Sequence, residues 1–348
     1  MTTPKSLGYY FPAEWARHEA TWLTFPCHEE SFPGKMNDIL PSYMTLLKTI
    51  SLGEKVRLNI ENEQTKQKVI DLSAEYGLEP GQVELFIHPS DDVWCRDHGP
   101  SFLINPDRQE NKKVIVNWEF NGWGGKYPYE RDNAISGLIA EKSGLQVFYP
   151  EIVMEGGSVE LNGNGILITS ETCLLNHNRN PQLDRNDIER LLMDYFGVEQ
   201  VLWLSEGIAG DDTDGHIDNM TRFVNQESVI TMIEPDANDV NNLPLKENLQ
   251  LLRSLRLLNG KSLHIVEIPM PSPVYHKGQR LPASYANFYI CNHAVVVPTF
   301  RCEEDDLALE IFEGLFKEKK VIGIDSVDIV WGFGSVHCLT QQEPYVSF

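Results

Sequence analysis

Val327-Asp328-Ile329-Val330-Trp331-Gly332-Phe333-Gly334-Ser335-Val336-His337-Cys338-Leu339-Thr340-Gln341-Gln342-Glu343-Pro344 is the stretch from which the rest of the chain can be read. Val327 to Trp331 reads as a strand, and Gly332 and Gly334 mark the turn after it. Glycines beside Cys338 let the backbone bend and leave the thiol open to a substrate. A thiolate is a strong nucleophile that needs a base and charge partners from elsewhere in the chain. Three more segments set among glycines carry acids or a histidine: Trp94-Cys95-Arg96-Asp97, Glu155-Gly156-Gly157 and Asp214-Gly215-His216-Ile217-Asp218-Asn219.

These segments recur at a period. Asp97 and Glu155 are 58 positions apart, Glu155 and His216 are 61 apart, and His216 and Cys338 are 122 apart, twice 61. A radial array of α/β units, each placing one group near the axis, would give this spacing. Helical patterns lie near 36–52, 62–76, 133–143, 184–196, 243–259 and 305–319. In the fourth, Asp184 or Asn186 can cap the start, Ile188, Leu191, Leu192 and Tyr195 recur at helical spacing, and Gly197 ends it. Between the helices run β-branched stretches: Val56–Ile60, Val83–His88, Val114–Trp118, Gln146–Val153, Ile166–Thr169, Val198–Leu204, Ser228–Ile233, Leu263–Ile268, Ala294–Val297 and Val321–Val330. A Rossmann-type or flavodoxin-like sheet is the rival architecture, but no GxGxxG or P-loop supports it. With no Ser/Gly-rich or Pro-rich linker, one continuous α/β domain over residues 1–348 is expected.

Composition bounds the partners. A hydrophobic content of 41% and a charged content of 23% place the chain among ordinary soluble globular proteins. No run approaches the roughly 18 apolar residues of a membrane span. Met1 to Tyr10 has no apolar signal-peptide core. The six cysteines, at 27, 95, 173, 291, 302 and 338, form no CxxC pair, which points to free thiols in a reducing cytoplasm. The net charge of −22 argues against nucleic acid and anionic membrane surfaces, and it favours a cationic ligand. Self-association is left open.

Each chemical reading has a plainer companion. Cys338 is either a nucleophile or a buried, inert thiol. His216 and Asp218, two apart on an extended segment, would share one face. The run Asp211-Asp212-Thr213-Asp214-Gly215-His216 is dense in oxygen ligands but lacks EF-hand spacing, so a hydrogen-bonded turn is the alternative to a metal site. Asp97 lies in Asp91–Pro100, which reads as a loop leading into a strand. Trp94 either walls a pocket or packs in the core. Trp123, in Asn121-Gly122-Trp123-Gly124-Gly125-Lys126, anchors a flexible loop that could close over substrate. Arg96 fits a structural ion pair, and Asn178-Arg179-Asn180-Pro181 fits a structural turn.

Taken in order, the segments resemble the agmatine deiminases and the bacterial, Porphyromonas-type peptidylarginine deiminases of the guanidine-modifying (pentein) superfamily. The resemblance runs from Phe11-Pro12-Ala13-Glu14-Trp15 and His18-Glu19-Ala20-Thr21-Trp22, through the Trp94, Asn121, Glu155, Asn178 and His216 segments and Pro282-Ala283-Ser284-Tyr285, to His337-Cys338. It implies a five-fold pseudosymmetric α/β-propeller, and 348 residues give about 70 per unit, enough for two or three strands and a helix. It implies that Cys338 attacks a guanidinium carbon and that His216 serves as general acid and base. Glu155 orients His216, and Asp97 and Asp218 clamp the cation. No cofactor and no metal are implied. His98 stands where the family often has a small residue and is read as a tuner of the pocket. Gly332-Phe333-Gly334-Ser335-Val336 replaces the usual Gly-Gly-Gly-Asn-Ile of agmatine deiminases, which bears on substrate choice. Conversion of agmatine to N-carbamoylputrescine and ammonia, on a route to putrescine, is the first expectation, followed by arginyl peptides and then free arginine. An amidinotransferase, a non-catalytic guanidinium binder and a cysteine protease are the rivals. The last has no use for two extra carboxylates.

Overall fold

The computed structural model describes residues 2–347. Its strands form five sheets of one repeated pattern and one small hairpin. In the first sheet β1 (His18–Thr24), β2 (Lys55–Ile60) and β3 (Val83–Ile87) run parallel, joined by α1 (Met36–Ser51) and α2 (Glu63–Glu75). The second starts with a helical turn, α3 (Cys95–His98), and β4 (Ser101–Ile104), which is antiparallel to β5 (Lys113–Val116). After α4 (Gly122–Gly125) and α5 (Glu130–Ser143) the chain returns as β6 (Gln146–Phe148), parallel to β5. The pattern recurs in β7 (Val159–Leu161), β8 (Ile166–Ser170), α6 (Glu171–Leu174), α7 (Arg185–Phe196) and β9 (Gln200–Leu204). It recurs again in β10 (Thr221–Asn225), β11 (Ser228–Ile233), α8 (Asn242–Ser254) and β12 (His264–Pro269). The hairpin of β13 (Tyr275–His276) and β14 (Gln279–Arg280) precedes the last copy, β15 (Tyr289–Ile290), β16 (Ala294–Thr299), α9 (Glu304–Leu315) and β17 (Lys320–Asp325). β18 (Gln341–Pro344) then pairs antiparallel with β1, giving the first sheet the inner strand that the others draw from their own segment.

Local chemistry explains these elements. In α7 the Asp184 carboxylate accepts from the Asp187 N–H in a capping box, Ile188, Leu192, Tyr195 and Phe196 are buried, and Gly197 closes the helix at φ 71°. The parallel inner strands are apolar on both faces, as Val295, Val296 and Val297 of β16 are, because helices cover one side and neighbouring units the other.

Two helical patterns overshoot: α8 stops at Ser254 and α9 at Leu315. The expected strand over Val327–Trp331 is absent. β17 ends at Asp325, whose carboxylate accepts from the Val327 N–H, and Ile329–Gly332 is a 3-10 turn. Strand chemistry also missed β1, the hairpin strands β13 and β14, and the five strands β4, β7, β10, β15 and β18. These last five are short, and several carry polar residues that are nevertheless buried: Glu160, Arg222, Gln342 and Glu343.

The starts of these five short strands meet in a ring. The Gly157 N–H donates to Asp97, and His216 sits beside Glu155. Asn287 donates to Asn219, the His337 N–H donates to the Asn287 carbonyl, and the Arg96 N–H donates to the Cys338 carbonyl. Every unit thereby touches the next, and the fifth touches the first, giving the α/β-propeller.

Candidate active site

Each inner strand is preceded by a helical turn that aims side chains at the axis. α3 supplies Asp97. The turn at Gly156–Ser158 follows Glu155, and that at Ile217–Asn219 carries Asp218 just after His216. The turn at Tyr285–Asn287 supplies Asn287, and the turn before β18 supplies His337 and Cys338. His216 and Asp218 therefore converge through a tight turn and not along an extended segment, and Asp97 lies on a turn of helix and not on a loop.

Cys338 is buried, 3.6 Å from Asp218 Oδ2, and its Sγ accepts a 3.0 Å hydrogen bond from Asn287 Nδ2. Burial pushes the thiol well above its ordinary value, and Asp218 and Asp97 add to the rise. Asp97 Oδ1 accepts from the Gly157 N–H and Oδ2 from Trp123 Nε1, both at 2.9 Å. Burial also raises the Asp97 pKa, with Asp218 and Glu155 contributing. Asp218 goes the other way: burial is outweighed by His337 and His216, and its pKa is lowered. Its Oδ1 is buried without a hydrogen-bond partner.

His216 is fully buried, with Nδ1 3.7 Å from Asp97 and Nε2 3.8 Å from Glu155. Burial opposes its charge, but Asp97, Cys173 and Glu155 prevail and its pKa stands well above 6.5. Gly157 is obligatory here, since a Cβ would fall 2.6 Å from His216 Nδ1 and 2.9 Å from Asp97 Oδ1. Glu155 is held in turn by Arg179, whose Nε donates at 2.6 Å and whose Nη1 reaches Asp214 at 2.8 Å. The Asn178-Arg179 segment is thus an anchor for Glu155 as well as a turn. The Asp211 run is a hydrogen-bonded turn, with Asp211 accepting from the Thr213 and His216 N–H groups.

Behind Cys338 lies a second polar layer that sequence reasoning did not single out. His337 Nδ1 is 2.8 Å from Asp218, and its Nε2 is 2.9 Å from Glu14. Glu14 also accepts from Arg222 and from the Ile290 N–H. Burial would raise Glu14, but Arg222, His337 and Arg96 hold it below the usual carboxylate range. Arg96 is the structural ion-pair partner expected of it. His98 is not a pocket group. It is buried against Asp132 and Thr24, and Asp132 accepts from the Asp91 and Asp92 N–H groups.

A cavity of about 680 Å³ opens onto Cys338 and Asp97. Trp94, Trp123 and Phe333 wall it, while Glu30, Asp91, Asp92 and Asp212 sit around it. Trp94 packs against Gly332 and Gly334, where a side chain would collide with its ring. Phe333 adopts a left-handed φ of 68° between them. The unpartnered Asp218 oxygen beside the thiol, the acids around the cavity and its aromatic wall suit a planar cation that donates hydrogen bonds.

A family model described as Porphyromonas-type peptidyl-arginine deiminase matches residues 10–344. The chain belongs to that family. Among relatives of this deiminase family, a Legionella pneumophila protein provisionally named agmatine deiminase is 37% identical over 346 residues, covering 99% of this chain and 97% of the relative. The agmatine deiminase of Ectopseudomonas mendocina is 33% identical, with 99% and 97% coverage. Of solved structures, the agmatine deiminase of Enterococcus faecalis superposes with a TM-score of 0.92 at 30% identity, over 99% of this chain and 98% of that one. A variant of C. jejuni agmatine deiminase with substrate bound gives 0.88 at 30% identity, over 97% of each chain.

Proposed function

We propose that this deiminase-family chain hydrolyses agmatine to N-carbamoylputrescine and ammonia, on a route to putrescine. The observation that carries the proposal is the Cys338 thiol set among Asp97, Asp218 and His216 at the base of an acidic, aromatic-walled cavity.

The guanidinium enters between Asp97 and Asp218, which grip its N–H groups, with Trp94 and Trp123 forming the wall. The arriving positive charge offsets the burial and the two carboxylates that keep Cys338 neutral, so the thiol releases its proton to solvent as substrate binds. Sγ attacks the guanidinium carbon. Protonated His216 gives its proton to one amino group, which leaves as ammonia, and an amidino-thioether cation remains. Neutral His216 then takes a proton from water as its oxygen bonds to the same carbon. Collapse breaks the C–S bond, the departing sulfur takes the proton that the new hydroxyl group sheds, and the neutral thiol and the ureido product are left. Glu155, fixed by Arg179, holds His216 in place and keeps it protonated for the first half of the cycle.

Agmatine is favoured by the names of the relatives and by the acids around the cavity, which suit a second cationic end. Arginyl peptides are the second reading, favoured by the family's own description and by a cavity of about 680 Å³. We place the protein in the cytoplasm, because all six cysteines are free thiols. Among the described residues no helix is long and apolar enough to cross a membrane. The test is ammonia and ureido formation from agmatine, a blocked arginyl peptide and free arginine, with Cys338→Ser as control. Agmatine turnover that disappears in the variant supports the proposal. Preference for the peptide selects the second reading, and activity in Cys338→Ser removes the nucleophile assignment.

A further inference from the structure

β1 and β2 are parallel neighbours, with Thr24 paired to Asn59 at their C-terminal ends. Their continuations therefore emerge side by side. Cys27 and His28 lie just past β1, and Glu61 lies just past β2. A sulfur, an imidazole nitrogen and a carboxylate oxygen from these three residues lie within 4.8 Å of one another. His28 Nε2 and Glu61 Oε2 are 3.8 Å apart, and each is buried without a hydrogen-bond partner. The other carboxylate oxygen of Glu61 is fixed by Arg131 Nη1 at 3.1 Å. Charges near the thiol are mixed, with Glu61 and Asp92 set against Lys68 and Arg131.

We propose that Cys27, His28 and Glu61 form a binding site for a thiophilic divalent cation of the zinc type, and that its occupancy inhibits the enzyme. One sulfur, one nitrogen and one oxygen are a ligand set that Zn²⁺ accepts, with water as the fourth ligand. The arginine on the second oxygen orients the carboxylate, as outer partners of metal ligands do. His28 and Arg131 both line the substrate cavity. A bound dication there adds positive charge beside the cavity. That charge works against entry of a cationic substrate.

Co²⁺, which takes the same ligands, is the probe. It is titrated into the full-length Cys338→Ser protein and into the same protein carrying Cys27→Ser. The expected result is a thiolate-to-cobalt charge-transfer band in the first, absent or shifted to about tenfold or more weaker binding in the second. An undiminished band in the Cys27→Ser protein would place the metal on Glu155, Cys173 and His216 and overturn the proposal, as would the absence of a band in both. In parallel, Zn²⁺ should raise the apparent KM for agmatine in the wild type and not in Cys27→Ser, whose metal-free turnover is normal. Equal inhibition of the two would refute the regulatory part. The inhibition arm rests on the agmatine reading and the spectral arm does not, so the two failures can be told apart.

Discussion

Replacing Asn287 by aspartate tests the surroundings of the thiol most directly. Besides donating to Asn219 at 3.1 Å, the side chain does two jobs at the thiol. Its Oδ1 accepts from the His337 N–H at 2.9 Å and the Cys338 N–H at 3.3 Å, and its Nδ2 donates to Cys338 Sγ at 3.0 Å. Aspartate keeps the acceptor, so the turn holding Cys338 retains its backbone partners and the fold survives. It replaces the donor with an oxygen, and when ionised it adds a negative charge beside a thiol already disfavoured by Asp218 and Asp97. A hydrogen bond to a charged group contributes about 1.5–3 kcal/mol, which converts to roughly 10- to 150-fold in kcat/KM. The introduced carboxyl group can still donate while it is protonated, so the deficit should widen as pH rises. The assay is agmatine turnover against pH, with the rate of Cys338 alkylation measured in parallel. A variant within about threefold of wild type across that range, with an unchanged alkylation profile, would show that this hydrogen bond does not stabilise the thiolate.

Three other outcomes are expected. Arg179→Met should strip the buried Glu155 carboxylate of its cation and destabilise the fold by about 3–5 kcal/mol, read by urea unfolding. Gly157→Ala should abolish turnover while leaving the far-UV spectrum intact, because its methyl group intrudes between His216 and Asp97. Burial opposes the charge on His98, but Asp132 raises its folded pKa to about 10 from an ordinary 6.5. A raised histidine contributes stability that is complete below pH 6.5 and lost as pH climbs through 10. Urea midpoints in the wild type should fall over that window, and His98→Gln should flatten the decline.

The sequence made Asp97, Glu155, His216, Asp218 and Cys338 legible because each is a reactive group beside glycines, and glycines mark places where backbone comes close to something. Their period also pointed to the radial fold. The gap of 122 between His216 and Cys338 called for one more unit, but that unit presents Asn287, which does not titrate and has no flanking glycine. The β13–β14 hairpin also displaces it from the midpoint of the gap. Glu14 sat in plain view within Phe11–Trp15, yet its use depends on Arg222, Ile290 and His337, which come from three other places in the chain. Inner strands such as Gln341–Pro344 defeat pattern reading for a related reason. They are buried in a polar interior where acids and arginines satisfy one another, so they show neither alternation nor apolar runs.

The pairing of β18 with β1 has a consequence for the order in which the molecule is assembled. Strand β1 waits for its inner partner through some 320 residues, until Gln341–Pro344 arrive. The residue that closes the ring and the residue that carries the thiol lie on the same short hinge, Cys338 being three positions before Gln341. A growing chain therefore carries Asp97, Glu155, His216 and Asp218 long before the thiol, and the thiol and the seam that holds it become available together. A chain that stopped short of Cys338 would lack the thiol and the clasp at once.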